Sequence, residues 1–530
     1  MPEKTTSGRQ EGPQARRTGD QASVLRLLAD PATYSGHPER VERIDTHGAI
    51  VFLAGEHAYK VKRAVAYPYM DFSTLDKRRQ ACLRERDINR RTAPDLYLDV
   101  VAVVRDGDGL RLDTGAPSGE VVEWVLVMRR FPQEDLLSVR AENGTLTAEI
   151  VTALADAVAR FHETAAIRPD AGGAEPMAWV VRENGEEFRQ RGDLFDAAAA
   201  SDLTERALAL LARHGGLLDA RAAEGKVRLC HGDLHLRNVV LLDERPTLFD
   251  AIEFNDAIAC IDVIYDLAFL LMDLDHRGLR SFANLVLNRY LQQRDETAAL
   301  RLLPLFLSTR AAVRAKVAAS AAAMAERVEA KARQRDEAAA YFARAAAYLA
   351  PAEPRLVAIG GLSGSGKSTL ARALAPGFGA APGALHLRSD VLRKQLAGVT
   401  ELERLPAEAY TAQSSAAVYN ALCSKAAAAL SAGHAVVADA VFARPEERAA
   451  IEAVARSAGV AFDGLWLHAA PAVLAERVTA RQGDASDATR AVVERQLSYD
   501  LGEIVWQRVE AGAVGRGLQD EAHRLLQIDG

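Results

Sequence analysis

The run Gly361-Leu-Ser-Gly-Ser-Gly-Lys-Ser368 constrains this chain more than any other stretch. It matches G-x-x-x-x-G-K-[ST], follows an apolar run at Leu356–Ile359 and precedes a helix-forming run at Thr369–Leu374. A strand, a glycine turn and a helix in that order aim backbone N–H groups at one small space, and the helix N-terminus adds its positive end. That space suits phosphate. The spacing assigns Gly361, Ser363, Gly364, Ser365, Gly366, Lys367, Ser368 and Thr369 to an ATP cradle. Lys367 would reach the terminal phosphates and Ser368 would ligate Mg²⁺.

From Arg355 onward, apolar runs alternate with helical segments. Leu356–Ile359, Ala384–Leu387, Ala435–Ala438, Leu465–His468 and Leu525–Ile528 are the expected strands. The alternation predicts an α/β P-loop domain with a doubly wound parallel sheet. Three features address its chemistry. His434-Ala-Val-Val-Ala-Asp439 is a buried strand ending in a carboxylate, and Asp439 is expected to hold Mg²⁺. Ser389-Asp390 follows the second strand, where Asp390 could act as base on a hydroxyl. Arg477 and Arg481 stand one turn apart on an expected helix face and could clamp transferring phosphates. With Val437-Ala-Asp439-Ala and Ser389-Asp-Val-Leu-Arg393, these features resemble the small P-loop kinases: gluconate kinase, chloramphenicol phosphotransferase and the zeta-toxin group. In that family the Asp after strand two activates a small-molecule hydroxyl. Such a domain also takes the AAA-family ATPase name, although no arginine-finger or sensor arrangement of an AAA motor is visible.

A second motif lies upstream. His231-Gly-Asp233-Leu-His-Leu-Arg-Asn238 is followed by Leu248-Phe-Asp250. Phosphoryl transfer to a hydroxyl needs a carboxylate to orient and deprotonate the acceptor. It also needs an amide and a second carboxylate to hold Mg²⁺. Asp233 and Asn238 have the spacing of the protein-kinase catalytic loop, and Asp250 falls where the metal-binding Asp belongs. Ala58-Tyr-Lys60-Val61 offers the strand Lys for the phosphates, and Glu85 lies on the helix expected over about Leu75–Arg91. Lys62 competes with Lys60, since alternate residues of a strand share a face. The glycine-rich loop expected over the phosphates is missing; Thr46-His-Gly48-Ala is its only candidate. His235 and Cys230 have no required role and are read as structural.

The carriers His231-Gly-Asp233, Asn238, Asp250 and Tyr265-Asp-Leu-Ala268 resemble the aminoglycoside phosphotransferase family. The whole chain resembles the bacterial fusion family of bifunctional aminoglycoside phosphotransferase/ATP-binding proteins, through Tyr59-Lys-Val-Lys62, Asp71-Phe-Ser-Thr74, Phe249–Asn255 and Tyr265–Asp273. The resemblance implies an α+β protein-kinase-like domain, with a β-rich N-lobe and a helical C-lobe, followed by the P-loop domain. It implies phosphotransferase machinery, not antibiotic resistance.

The local pattern agrees. Ala49–Leu53, Ala58–Val65, Leu98–Val104, Leu110–Asp113 and Val121–Phe131 read as strands. Thr147–Leu349 is mostly helical, with short strands around Val227–Cys230 and Val239–Asp250. Pro351 and Pro354 mark a linker. The expected division is a disordered tail at 1–20, a kinase-like domain at 21–350, a linker at 351–355 and a P-loop domain at 356–530.

A net charge of −7 over 530 residues argues against bulk nucleic-acid binding. Cys82, Cys230, Cys260 and Cys423 give neither a metal pattern nor a disulfide framework, which fits a reducing cytoplasm. No apolar run is long enough to span a membrane. The expected cofactors are ATP and Mg²⁺, and the expected partner is a small hydroxylated acceptor. The alternative reading is a regulatory protein, with a silent kinase-like domain and a P-loop ATP switch.

Overall fold

The computed structural model describes residues 21–67, 69–481, 483–512 and 516–526. By contact density the chain divides into two units: 21–146, 161–172 and 224–266 form the first, and 147–160, 173–223 and 267–526 the second.

In the first unit a six-stranded antiparallel sheet holds β1 (Val41–Asp45), β2 (Ala49–Ala54), β3 (His57–Lys62), β4 (Tyr97–Asp106), β5 (Gly109–Asp113) and β6 (Val121–Arg129), in the order β1-β2-β3-β6-β4-β5. β2 and β3 are joined through Gly55-Glu56, and Lys60 pairs with Val51 on one side and Leu126 on the other. One sheet face packs Ile50, Phe52, Val61, Val103 and Val125; the opposite face packs Leu53, Leu126 and Met128 with Cys82 and Leu96. The helix Leu75–Asn89 supplies Cys82 and begins at Thr74, whose hydroxyl accepts Lys77 N–H at 3.3 Å. Two short antiparallel ladders follow, Val239–Leu242 with Arg245–Leu248 and Cys260–Asp262 with Val227–Leu229.

The second unit begins with long helices, among them Ala197–Ala223, Arg280–Gln293, Leu303–Met324 and Val328–Tyr348. It continues into a five-stranded, all-parallel sheet of β7 (Arg355–Gly361), β8 (Leu385–Arg388), β9 (Val436–Asp439), β10 (Ala461–His468) and β11 (Gln507–Glu510), ordered β8-β9-β7-β10-β11. Leu356–Ile359 and Val436–Ala438 are wholly buried, as expected for parallel strands covered on both faces.

The chain's end departs from expectation. Leu525 belongs to the helix Arg516–Leu525, Leu526 follows in a turn, and the rest of the expected strand Leu525–Ile528 lies outside the described residues. Leu518, Ala522 and Leu526 recur every four residues and pack into the core beneath β7, which is helical spacing. The fifth strand is β11, whose only buried residue is Val509. Among the described residues no helix is long and apolar enough to cross a membrane.

Candidate active sites

The first site lies wholly in the first unit. Lys60 Nζ stands 2.7 Å from Glu85 Oε1 and 2.6 Å from Asp250 Oδ1. Lys62 contacts the other oxygen of Glu85 and lies 2.5 Å from Glu253 Oε1. Both lysines therefore share one carboxylate, because both project from the same face of β3. Burial alone would lower the Lys60 ammonium, but Asp250 and Glu85 overcome it and hold it well above the ordinary lysine value. Burial likewise opposes charge on Glu85, yet Lys60 and Lys62 bring it down to about 2. Glu253 goes the other way: burial raises it, and the charge of Glu85 adds to that, against Lys62.

Asp250 is a non-glycine residue at φ +60°. Backbone in that region costs energy and persists only where surroundings fix it. Here Asp250 N–H donates to Tyr97 Oη at 2.9 Å, and Ala251 N–H donates to Asn89 Oδ1 at 2.8 Å. Asp233 is half-buried. Asn238 Nδ2 donates to Asp233 Oδ2 at 2.9 Å and to its carbonyl at 3.0 Å. The turn before it is anchored by Asp266, which accepts His231 N–H at 3.1 Å and Gly232 N–H at 2.9 Å and faces His162 Nε2 at 3.1 Å. Gly232 sits at φ +82°, a conformation that favours glycine.

The second site is built around the turn after β7. Gly364 has φ +85°, and a Cβ there would lie 2.5 Å from Leu474 O, so only glycine fits. Lys367 opens the helix Lys367–Leu374, with its ammonium 3.1 Å from Leu362 O. Burial lowers the Lys367 ammonium and Arg481 and Arg388 add to this, while Asp439 and Asp390 oppose it. Asp439 ends β9 beside Ile359 of β7 and Arg388 of β8. Burial would raise its carboxyl, but His386, Lys367 and Arg388 bring it down to about 2. Asp390 lies in the first turn of the helix Ser389–Ala397. Ser365 Oγ and Asp439 Oδ2 are buried without a hydrogen-bond partner among the described residues. A glycine cradle with an orphaned hydroxyl and an orphaned carboxylate oxygen fits a bound MgATP.

Residues 59–303 match the phosphotransferase enzyme family, and residues 356–499 match an AAA domain. Uncharacterized proteins of Mycobacterium tuberculosis and Mycobacterium bovis are 31% identical over 473 residues, covering 87% of this chain and 91% of theirs. The chain belongs to the phosphotransferase enzyme family. It carries that family's kinase-like domain together with an AAA-type P-loop domain. Solved structures similar to parts of the phosphotransferase include a choline/ethanolamine kinase family protein from Mesorhizobium loti, at 13% identity and TM-score 0.37, covering 62% of this chain and 99% of that one. A gluconokinase from Sinorhizobium meliloti is similar at 23% identity and TM-score 0.24, covering 33% of this chain and 94% of that one.

The fold brings several of the expected residues into contact. Lys60, Glu85 and Asp250 meet, as do Asp233 and Asn238. Arg477 and Arg481 do not form the expected pair. The helix Pro471–Ala480 stops one residue before Arg481, which is extended at φ −66°, ψ 135°. Arg477 donates to Gly512 O at 3.2 Å, whereas Arg481 faces Asp484 at 3.5 Å and bears on Lys367. His235, expected to be structural, has its Nε2 3.3 Å from Asp233 Oδ2. The turn around Gly48 is packed rather than glycine-rich. His47 stacks on Tyr67 with centroids 4.3 Å apart, and Tyr69 Oη lies 2.9 Å from His47 Nε2. Sequence reasoning also missed Glu253, His162 and Gln496, whose Oε1 accepts Ser363 N–H at 2.8 Å. None of these has a signature spacing, and only the fold brings them to the sites.

Proposed function

We propose that the chain transfers a phosphoryl group from MgATP to the hydroxyl of a small acceptor at the kinase-like site, and that the P-loop site is a second MgATP-dependent phosphotransferase centre. The observation that carries this reading is Lys60 held between Glu85 and Asp250, in the domain where Asn238 orients Asp233. In the proposed mechanism Asp233 Oδ accepts the acceptor's proton, and Asn238 Nδ2 fixes the carboxylate that does so. Lys60, aligned by Glu85, would steady the phosphates; Asp250 and Asn238 would hold Mg²⁺, which would neutralise charge on the transferring group. Tyr97 and Asn89 fix the backbone that presents Asp250. At the P-loop, Lys367 and the turn's N–H groups would bind the phosphates, Ser368 and Asp439 the metal, and Asp390 the acceptor hydroxyl. The division into 21–350 and 356–530 is proposed as the functional one, and the cytoplasm as the compartment.

The test is ³¹P NMR of the intact chain with MgATP and a small-molecule extract. A new phosphomonoester signal that needs Asp233 supports the reading. MgATP binding with no phosphomonoester from any extract fraction would favour the regulatory alternative.

A further inference from the structure

We propose that His386 positions the metal-holding carboxylate of Asp439, and that Asn288, on the helix Arg280–Gln293 upstream of the linker, sets His386. Helix residues from the kinase-like region then form part of the P-loop site. The inference rests on the P-loop reading above and goes beyond it, since no sequence motif contains either residue.

β8 is the outermost strand of the parallel sheet, so among the described residues one side of it has no strand neighbour. Two asparagines four residues apart cover that edge. Asn288 Oδ1 accepts His386 N–H at 2.7 Å, while Asn288 Nδ2 donates to Ala384 O at 3.2 Å. Asn284 Nδ2 donates to the same carbonyl at 3.0 Å. One carboxamide thus supplies both the donor and the acceptor that a neighbouring strand would supply. Both asparagines are buried, and Asn288 Nδ2 also reaches Asn284 Oδ1 at 3.0 Å. Covering an edge strand is ordinary protection against mispairing. The choice of residue points further. The amide that Asn288 captures belongs to His386, whose side chain faces the carboxylate of Asp439.

Strand register explains how. His386 pairs with Val437 and Arg388 with Asp439. Side chains alternate along a strand, so Val437 and Asp439 share a face, and a long side chain at His386 reaches the carboxylate two residues on. His386 Nε2 stands 3.5 Å from Asp439 Oδ2, and both atoms are buried without a completed hydrogen bond. A buried carboxylate oxygen left unpaired is costly, so a small shift of His386 toward Asp439 would be favourable. Arg388 approaches Asp439 less closely, at 4.0 Å, and commits its Nη2 to Asp484 at 2.6 Å. His386 is therefore the nearer partner, and it decides which way Asp439 presents its oxygens.

The test measures nucleotide binding to the full chain by calorimetry, with Mg²⁺ and with EDTA. The component lost in Lys367→Ala defines the P-loop site. His386→Leu should weaken that component by about tenfold with Mg²⁺ and by less than about twofold in EDTA, and His386→Gln, which keeps an N–H donor, should recover most of the loss. Asn288→Ala should weaken it in the same direction by a smaller factor. Thermal melting without nucleotide checks that Leu and Gln variants are equally folded. Equal Mg²⁺-dependent affinity in the two variants, while Lys367→Ala loses its component, would overturn the positioning role alone. If Lys367→Ala loses nothing, the P-loop reading itself fails.

Discussion

Lys60 Nζ and Glu85 Oε1 lie 2.7 Å apart, although the two residues come from a strand and a helix of opposite character. The pair is not isolated: Lys62 holds the other oxygen of Glu85. A buried carboxylate between two ammonium groups is costly to remove, because each lysine then keeps a single carboxylate partner, Asp250 for Lys60 and Glu253 for Lys62.

Replacing Glu85 by Ala should therefore destabilise the chain by about 1–3 kcal/mol, measured by urea unfolding. The pH dependence carries the same signature. The Glu85 carboxyl is lowered to about 2 in the folded chain. Its contribution is present above the ordinary glutamate value and is lost as pH falls toward 2. Glu253 is raised, so its contribution has the opposite sign and is lost as pH rises. Glu85→Gln should flatten the acid limb of the stability profile.

Asp233 and Asp250 should divide their work. Asp233→Ala should cut turnover by about 100-fold or more while MgATP remains bound. Asp250→Ala should weaken MgATP itself and shift the Mg²⁺ dependence. Calorimetry and initial rates on the same preparations separate the two outcomes. Matched loss of binding in both variants would contradict the division.

The contact of Asn238 with Asp233 and the P-loop turn are legible in the sequence because they are local. Asp233, Asn238 and Asp250 are close in sequence, and the P-loop occupies one turn. What was hidden is what the fold assembles. Lys60 and Lys62 could not be told apart by pattern, and the structure shows why: both use Glu85. Glu253 and His386 matter through partners far away in sequence. The sequence pattern puts Arg481 on a helix that ends one residue earlier. β11 has a single buried residue and so no apolar run to betray it, whereas the apolar run near Leu525 is the buried stripe of a helix.

Gly364→Ala offers a test of the P-loop cradle that leaves charge untouched. The added methyl would meet Leu474 O at 2.5 Å on backbone that already favours glycine. It should cost about 1–3 kcal/mol of strain and displace the turn, read as a lower melting temperature and a smaller stabilisation by MgATP.

The fragment 352–530 should fold cooperatively but melt below the full chain, because it lacks the carboxamides of Asn284 and Asn288 at Ala384 and His386. Its uncovered β8 edge should also make it aggregate more readily, as light scattering would record.

The central claim is phosphoryl transfer at Asp233, and γ-labelled ATP tests it most directly. The intact chain, Asp233→Ala and Lys367→Ala are each incubated with a size-filtered metabolite extract, and label is counted in the small-molecule fraction after ATP and free phosphate are removed. The account predicts labelled product with the intact chain, its loss from at least one chromatographic peak in Asp233→Ala, and retention of that same peak in Lys367→Ala. Undiminished labelling of every peak in Asp233→Ala would contradict it.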